Sequence, residues 1–174
     1  PRSTPLYSSA ASAVYKRQLL ILSISLLTYL SPGQNVKEDF NDAEFFLAQE
    51  EYEEALYIYQ KVYENGYRDN ANVNYRIGIC LLEIRDRKPE AIPYLEKAVE
   101  SISERYKGGS LKEENAPPDA LLYLGNAYRI NQQFEKACEM YNKYMGYLGD
   151  RDNILNIYTK QEIASCQNAQ EALD

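Results

Sequence analysis

Two stretches of this chain repeat one another at a constant distance, and this repetition limits the possible folds more than any other feature. Four positions in EEYEEALYIYQKVYE (50–64) recur 82 residues later in QQFEKACEMYNKYMG (132–146): Tyr52, Ala55, Tyr59 and Val62 become Phe134, Ala137, Tyr141 and Tyr144. Small residues recur three times, as Ala55, Ala91 and Ala137 and, on the preceding segments, as Ala43, Gly78 and Gly125. Such residues let paired helices approach to about 8–10 Å, so the pattern predicts helix–turn–helix units with a period near 34 residues.

The spacing of apolar residues is helical from residue 36 to residue 173. It predicts three helix pairs, at 37–49 with 52–65, 71–84 with 89–106, and 118–131 with 134–147. A further amphipathic segment at 152–173 is expected to cap the open end of the array with its apolar side. That side consists of Ile154, Ile157, Tyr158, Ile163, Cys166 and Ala169.

Prolines and glycines mark the expected boundaries. Pro89 and Pro118 stand where a helix begins, and the pair Asn65-Gly66 ends one. Pro93 lies a few residues inside its predicted helix, which we expect it to bend slightly. The insert YKGGSLKEENAPP at 106–118 lengthens the second repeat step, either as a loop or as an extended helix end.

The composition bounds the class of function. The chain has 174 residues, which is enough for one domain, with 17 Tyr and no His. Without histidine, the commonest general base and metal ligand are missing, which argues against hydrolytic or zinc chemistry. The net charge is −7, and because residues 1–33 carry +3, residues 34–174 carry −10. So acidic a body repels phosphates and anionic lipids, and we expect neither a nucleic-acid partner nor direct membrane binding.

No catalytic arrangement is readable, and we expect a protein that is not an enzyme and uses no cofactor or metal. The insert has two glycines and a lysine but lacks the strand-to-helix context of a phosphate-binding loop. Glutamates at 50, 51, 53 and 54 could pair as carboxylates. At the start of a helix, however, acids are favoured by the helix dipole, so a solvated face is the better interpretation.

Residues 16–33 are interpreted as an export signal. Lys16 and Arg17 precede a mostly apolar run at 19–30, which is shorter than the roughly 20 residues of a membrane span. Ser31 and Gly33 suit a secretory cleavage site just before Gln34. A short buried helix is the alternative. Residues 1–15 are interpreted as upstream sequence, which leaves 34–174 as the folded domain.

Export would place the three cysteines, Cys80, Cys138 and Cys166, in an oxidising compartment. Their odd number leaves at least one outside any pair within the chain, and their spacings match no metal site. Each lies in an apolar helical stripe. We therefore expect buried thiols, with a Cys138–Cys166 disulfide as the alternative.

The repeated units resemble the tetratricopeptide repeat family. YRIGICLLE and LLYLGNAYRI carry its first-helix pattern, and EYEEALYIYQKV, PEAIPYLEKAV and QFEKACEMYNKY carry the second. The units fall at about 36–69, 71–105 and 118–151, followed by the capping helix. The first unit departs from the pattern, with Ala43 and Phe46 in place of Gly and Tyr. The resemblance implies an all-α, right-handed superhelix of about three helix pairs and a C-terminal cap.

In this family the first helix of each pair lines a concave groove that binds proteins. Carried over position by position, the resemblance implies a protein-binding groove of eight residues: Phe40, Glu44, Asn72, Tyr75, Ile79, Leu122, Asn126 and Arg129. Aromatic and aliphatic side chains beside Asn and Arg suit an extended peptide or a helix better than a small-molecule substrate. Ile79 and Leu122 could equally be core between units, because repeats bury such faces.

One architecture within the family is more similar still. The signal segment, the degenerate first unit, APPDALLYLGNAYRINQQFEKACEMYNKY and IASCQNAQEAL resemble the N-terminal repeat domain of periplasmic proteins that continue into a β-propeller and an OmpA-like domain and are linked to type IX secretion and gliding. The resemblance implies an exported, outer-membrane-associated scaffold in the periplasm that docks partner proteins and reaches the membrane only through them. The alternatives are a free-standing peptide-binding adaptor or chaperone, and the regulatory arm of an enzyme.

Overall fold

A computed structural model describes residues 32–149 and 154–172, nearly all of which belong to the unit Val36–Asp174. Seven α-helices lie in the described ranges: α1 Pro32–Ala48, α2 Tyr52–Val62, α3 Ala71–Glu83, α4 Ala91–Ala98, α5 Asp119–Ile130, α6 Phe134–Leu148 and α7 Ile154–Glu171. These ranges contain no β-strand beyond a single isolated bridge. The predicted export signal lies outside them except for its last two residues.

Neighbouring helices pack against each other along the chain, which gives the hairpins α1/α2, α3/α4 and α5/α6, with α7 on α6. The predicted all-α solenoid of helix pairs is therefore confirmed. None of the helices in the described ranges is long and apolar enough to cross a bilayer.

The repeated small residues lie where the two helices of a hairpin touch. A Cβ on Gly78 would fall 2.5 Å from Leu95 Cγ, and one on Gly125 would fall 2.4 Å from Tyr141 Cε1. Both distances are shorter than a carbon–carbon contact allows. The absence of a side chain therefore sets how closely α3 meets α4, and how closely α5 meets α6.

The second helix of the second unit is shorter than its predicted 89–106. After a 3-10 turn at Lys88–Glu90, α4 runs from Ala91 only to Ala98, and residues 99–118 form a loop that lies against α3. Pro93 is consequently the third residue of α4, in the first turn. The N–H groups of a first turn have no partner within the helix, so proline is tolerated there, and the slight bend stays a prediction.

The predicted orientation of the C-terminal helix is only half right. Ile163 packs against the core and Cys166 is buried, but Ile154 is 85% exposed and Ile157 is 54% exposed. Asn156 and Thr159 are buried in their place. The side chain of Asn156 donates a hydrogen bond to the Gly149 carbonyl just after α6, at 2.8 Å. Asn156 therefore bonds to the turn before α7, and Asn156 and Thr159 lie on the buried side of the helix in place of Ile154 and Ile157.

Candidate protein-binding surface

The eight residues of the predicted groove belong to α1, α3 and α5, and the surface that these three helices form is here called the first-helix face. Glu44 on α1 is bound by groups from two other helices. Arg76 Nε and Nη2 on α3 lie 2.8 and 3.0 Å from its two carboxylate oxygens, and the hydroxyl of Tyr59 on α2 donates to it. Burial, followed by the Glu44 charge, raises the pKa of Tyr59. Glu44 therefore joins three helices.

Phe40 lies one turn before Glu44 on α1 and is fully buried, with its ring edge-on to that of Tyr59 at 5.8 Å. A partner cannot touch it in this conformation, because α2 covers it. Phe40 is thus a core residue, which corrects its assignment to the surface of the groove.

Asn72 is also fully buried, but a different element covers it. The Tyr106 hydroxyl, from the 99–118 loop, donates to Asn72 Oδ1 at 2.5 Å, and Asn72 Nδ2 donates to the Ser110 carbonyl at 3.4 Å. Asn72 therefore points outwards, as the repeat pattern implies, yet it is inaccessible. Its partners belong to the chain itself.

Tyr75, three residues after Asn72 on α3, contacts the same loop. It is only 6% exposed, with its ring edge-on to Tyr106 at 6.3 Å on one side and to Tyr123 of α5 at 5.8 Å on the other. Burial raises the pKa of Tyr75 and, to about 12, that of Tyr106. These tyrosines are neutral near pH 7 and form an aromatic layer.

The part of the face on α5 is more open. Asn126 accepts a hydrogen bond from the Tyr141 hydroxyl at 2.8 Å, and Arg129 Nε lies 3.0 Å from a carboxylate oxygen of Glu162 on α7. The side chain of Arg129 remains 37% exposed. Leu122, by contrast, is 9% exposed. Ile79 of α3 is partly buried against the core.

Protein binding by these eight residues stays a prediction. The structure buries Phe40 and Asn72 completely and leaves Tyr75 and Leu122 only 6% and 9% exposed. Sequence reasoning missed Arg76 and Tyr106. Arg76 occupies a helix position that the repeat pattern leaves open. Tyr106 had a visible signal, because it is the one aromatic residue in a glycine-rich, charged insert, a context in which a large apolar ring usually has a packing partner.

The cysteines divide into one buried thiol and one bridge. Cys138 on α6 and Cys166 on α7 form a disulfide with their Cα atoms 6.0 Å apart. The expectation of buried thiols is thus wrong for this pair, because helix packing brings the two residues within bonding distance, and the alternative is confirmed. Cys80 is free and buried, and burial raises the pKa of its thiol to about 12. A thiol of that kind is unreactive at neutral pH.

A concavity of about 390 Å³ lies where α4, α5 and α6 meet. Its walls are mainly apolar, with Leu121, Leu124 and Met140 among them. At its edge the Tyr128 hydroxyl donates to Glu96 at 2.5 Å. Among the residues that the structure describes, no cluster of three or more His, Cys, Asp or Glu side chains could hold a metal ion.

The third hairpin provides the link to known proteins. Residues 119–147 match the tetratricopeptide repeat family. This segment is α5 with nearly all of α6, and it contains Gly125, Asn126 and Arg129. The match supports the resemblance drawn from the repeated small residues. No curated protein matches the chain.

Proposed function

We propose that this chain is a non-enzymatic scaffold that binds protein partners through its first-helix face. Tetratricopeptide repeats generally mediate protein–protein interaction, and the match lies on the hairpin that carries Asn126 and Arg129. The observation that carries the proposal is the α5 part of the face, where Arg129, 37% exposed, and the partly exposed Asn126 lie on the same side of the helix as the nearly buried Leu122. Such a combination suits a protein surface.

We further propose that the chain works in the bacterial envelope, as an exported domain of a larger secretion- or peptidoglycan-associated protein. The Cys138–Cys166 disulfide supports export, because disulfides persist mainly in oxidising compartments. The short apolar run at 19–30 supports it from the sequence. N-terminal sequencing of the exported protein tests this part, and we expect a mature start at Gln34.

A photo-crosslinking experiment tests the binding surface. Tyr158 on α7 lies beside Arg129 and is 36% exposed, whereas Tyr57 on α2 is 62% exposed and belongs to a second helix. A benzophenone amino acid at position 158 should give a discrete adduct in an envelope extract, and the double substitution Asn126→Ala and Arg129→Ala should abolish it. The same label at position 57 is the matched control. Adducts from position 57 alone would contradict the proposal.

A further inference from the structure

The 99–118 loop occupies part of the surface on which the proposed function depends. Tyr106 inserts between Asn72 and Tyr75, and Gly109 lies beside Glu44 of α1. The loop thus covers part of the first-helix face on α1 and α3, whereas Asn126 and Arg129 of α5 lie beside Tyr158 and Glu162 of α7. A partner that used the whole face would meet this loop.

Many of the contacts that hold the loop are made to its main chain, so another peptide with the same backbone conformation could make them. Side-chain amides of α3 and its cap donate to loop carbonyls, from Asn70 to Glu113 at 3.0 Å and from Asn72 to Ser110 at 3.4 Å. The Ala71 N–H donates to the Glu114 carbonyl at 3.0 Å. Contacts with a main chain do not depend on sequence, so a second peptide could make them equally well.

Two loop residues add selectivity. The Tyr106 side chain supplies the hydroxyl that Asn72 accepts and the ring that meets Tyr75. At Gly108, a Cβ would fall 2.8 Å from Arg76 Nη2 and equally close to the Tyr106 ring. Because Arg76 is held by Glu44, a larger residue at position 108 would disturb an ion pair whose side chains are only 16% and 22% exposed.

The base of the loop is closed by bonds that do not involve α3, whereas Leu111 within the loop packs against the core. The two ends of the loop are joined, since Ser103 N–H donates to the Ala116 carbonyl at 2.9 Å and Ala116 N–H donates to the Ser101 carbonyl at 2.8 Å. Ala116 is fully buried, whereas residues 107–110 are exposed. Residues 104–114 therefore form a flap on a closed base.

We propose that this flap is an internal ligand, which occupies the α1/α3 part of the binding face until a partner segment displaces it. The segment that fits the vacated site is a peptide that adopts the same turned conformation, with a tyrosine followed two positions later by glycine, as in Tyr106 and Gly108. The inference rests on the proposed function. It adds the chemistry of the partner and a built-in competitor.

The test uses the flap itself as the probe. In one variant of the full chain, a linker of about four Gly and Ser residues replaces 104–114, a length that the joined base allows. The probe is a synthetic peptide of residues 103–115, titrated to millimolar concentration, which is the range of effective concentration that a short tether provides. Two-dimensional amide NMR follows Asn72, Tyr75 and Arg76.

We expect the peptide to shift these amides in the shortened variant and not in the intact chain, where the flap competes. A peptide with Tyr106→Ala should bind at least about ten-fold more weakly, as for a buried aromatic anchor. A Gly108→Val peptide should also bind more weakly. A peptide with Lys107→Ala is the matched control, because Lys107 is exposed, and it should bind like the parent.

Two results would overturn the inference. One is a folded shortened variant whose spectrum the peptide leaves unchanged, and the other is equal binding to the intact chain. If the shortened variant does not fold, full-length Tyr106→Ala replaces it. That chain should bind the parent peptide and lose protection of the Ala71 amide in hydrogen exchange, and failure of either would count against the inference. Adducts from position 158 concern the α5 part of the face, so the two proposals can fail separately.

Discussion

The first and third hairpins have matching turns but are joined to their neighbours by different interactions. Their turns match residue for residue at the 82-residue offset, since Glu50 and Gln132 both have left-handed φ values, 62° and 58°. Glu51 N–H donates to the Phe46 carbonyl at 3.0 Å, and Gln133 N–H donates to the Tyr128 carbonyl at 2.9 Å. The repeated sequence therefore encodes a repeated turn as well as repeated helices.

The equivalent tyrosines, Tyr59 and Tyr141, hydrogen-bond to residues that are themselves equivalent, Glu44 and Asn126. In the second hairpin these two positions are Leu95 and Ile79, so the donor and the acceptor are replaced together. Glu44 carries a charge and also binds Arg76 of the next hairpin. The third hairpin has a neutral amide at this position, and a disulfide joins it to α7. The first hairpin is thus joined to its neighbour by an ion pair, whereas the third hairpin is joined to its neighbour by a disulfide.

Breaking the disulfide should have the largest effect. For cysteines 28 residues apart, the loss of chain entropy in the unfolded state predicts a destabilisation of about 3–4 kcal/mol. Denaturant unfolding with and without reductant measures it, and hydrogen exchange should rise in α7 and not in α1. The variant with Cys138→Ser and Cys166→Ser is the control, since reductant should leave it unchanged. Equal unfolding midpoints for the oxidised and reduced chain would contradict this expectation.

Filling the helix contact of the third hairpin should come next. Gly125→Ala places a methyl group against the buried Tyr141 ring, so we expect it to lower the free energy of unfolding by about 1–3 kcal/mol. Gly146→Ala on α6 is the matched control, because nothing lies within 4 Å of its Cβ position. At position 146 the higher helix propensity of alanine should raise the free energy of unfolding by about 0.5–1 kcal/mol. Thermal unfolding of both variants tests this, because the unfolding temperature should fall for Gly125→Ala and rise for Gly146→Ala. Equal changes would show that packing does not distinguish the two glycines.

These contacts also show what could be predicted from the sequence. The positions of Gly78 and Gly125 predicted the hairpins because a close helix crossing admits few residue types. The early end of α4 at Ala98 could not be read, because helical spacing continues beyond it and the competing contacts come from α3, more than twenty residues earlier. The burial of Asn72 could not be read either, because the 99–118 loop that covers it is distant in the sequence. Local periodicity predicts helices and faces, but not which distant loop covers a face.

The two equivalent tyrosines provide a finer comparison. Tyr59→Phe removes a hydrogen bond to a carboxylate and should cost about 1.5–3 kcal/mol, whereas Tyr141→Phe removes one to an amide and should cost about 0.5–1.5 kcal/mol. Chemical denaturation of both variants gives the two values. Tyr57→Phe, at a position 62% exposed, should change stability by less than about 0.5 kcal/mol. If Tyr141→Phe lowered the free energy of unfolding more than Tyr59→Phe, the charge on Glu44 would not explain the difference between the two hairpins.

The smallest expected effect is the contribution of Tyr141 to stability at alkaline pH. Burial raises the pKa of Tyr141 to about 12, against the lowering effect of Arg129 and with the Glu162 charge and Tyr158 as further neighbours. The pKa of an unfolded-state tyrosine is about 10, so above that pH the unfolded chain has lost a proton that the folded chain keeps, and stability falls as pH rises. At about pH 11 this amounts to roughly 1 kcal/mol for one tyrosine. Tyr141→Phe should therefore be less destabilising at pH 11 than at pH 8 by about that amount, as measured by denaturant unfolding at the two pH values. A pH-independent difference between variant and parent would mean that Tyr141 ionises as readily in the folded chain as in the unfolded one.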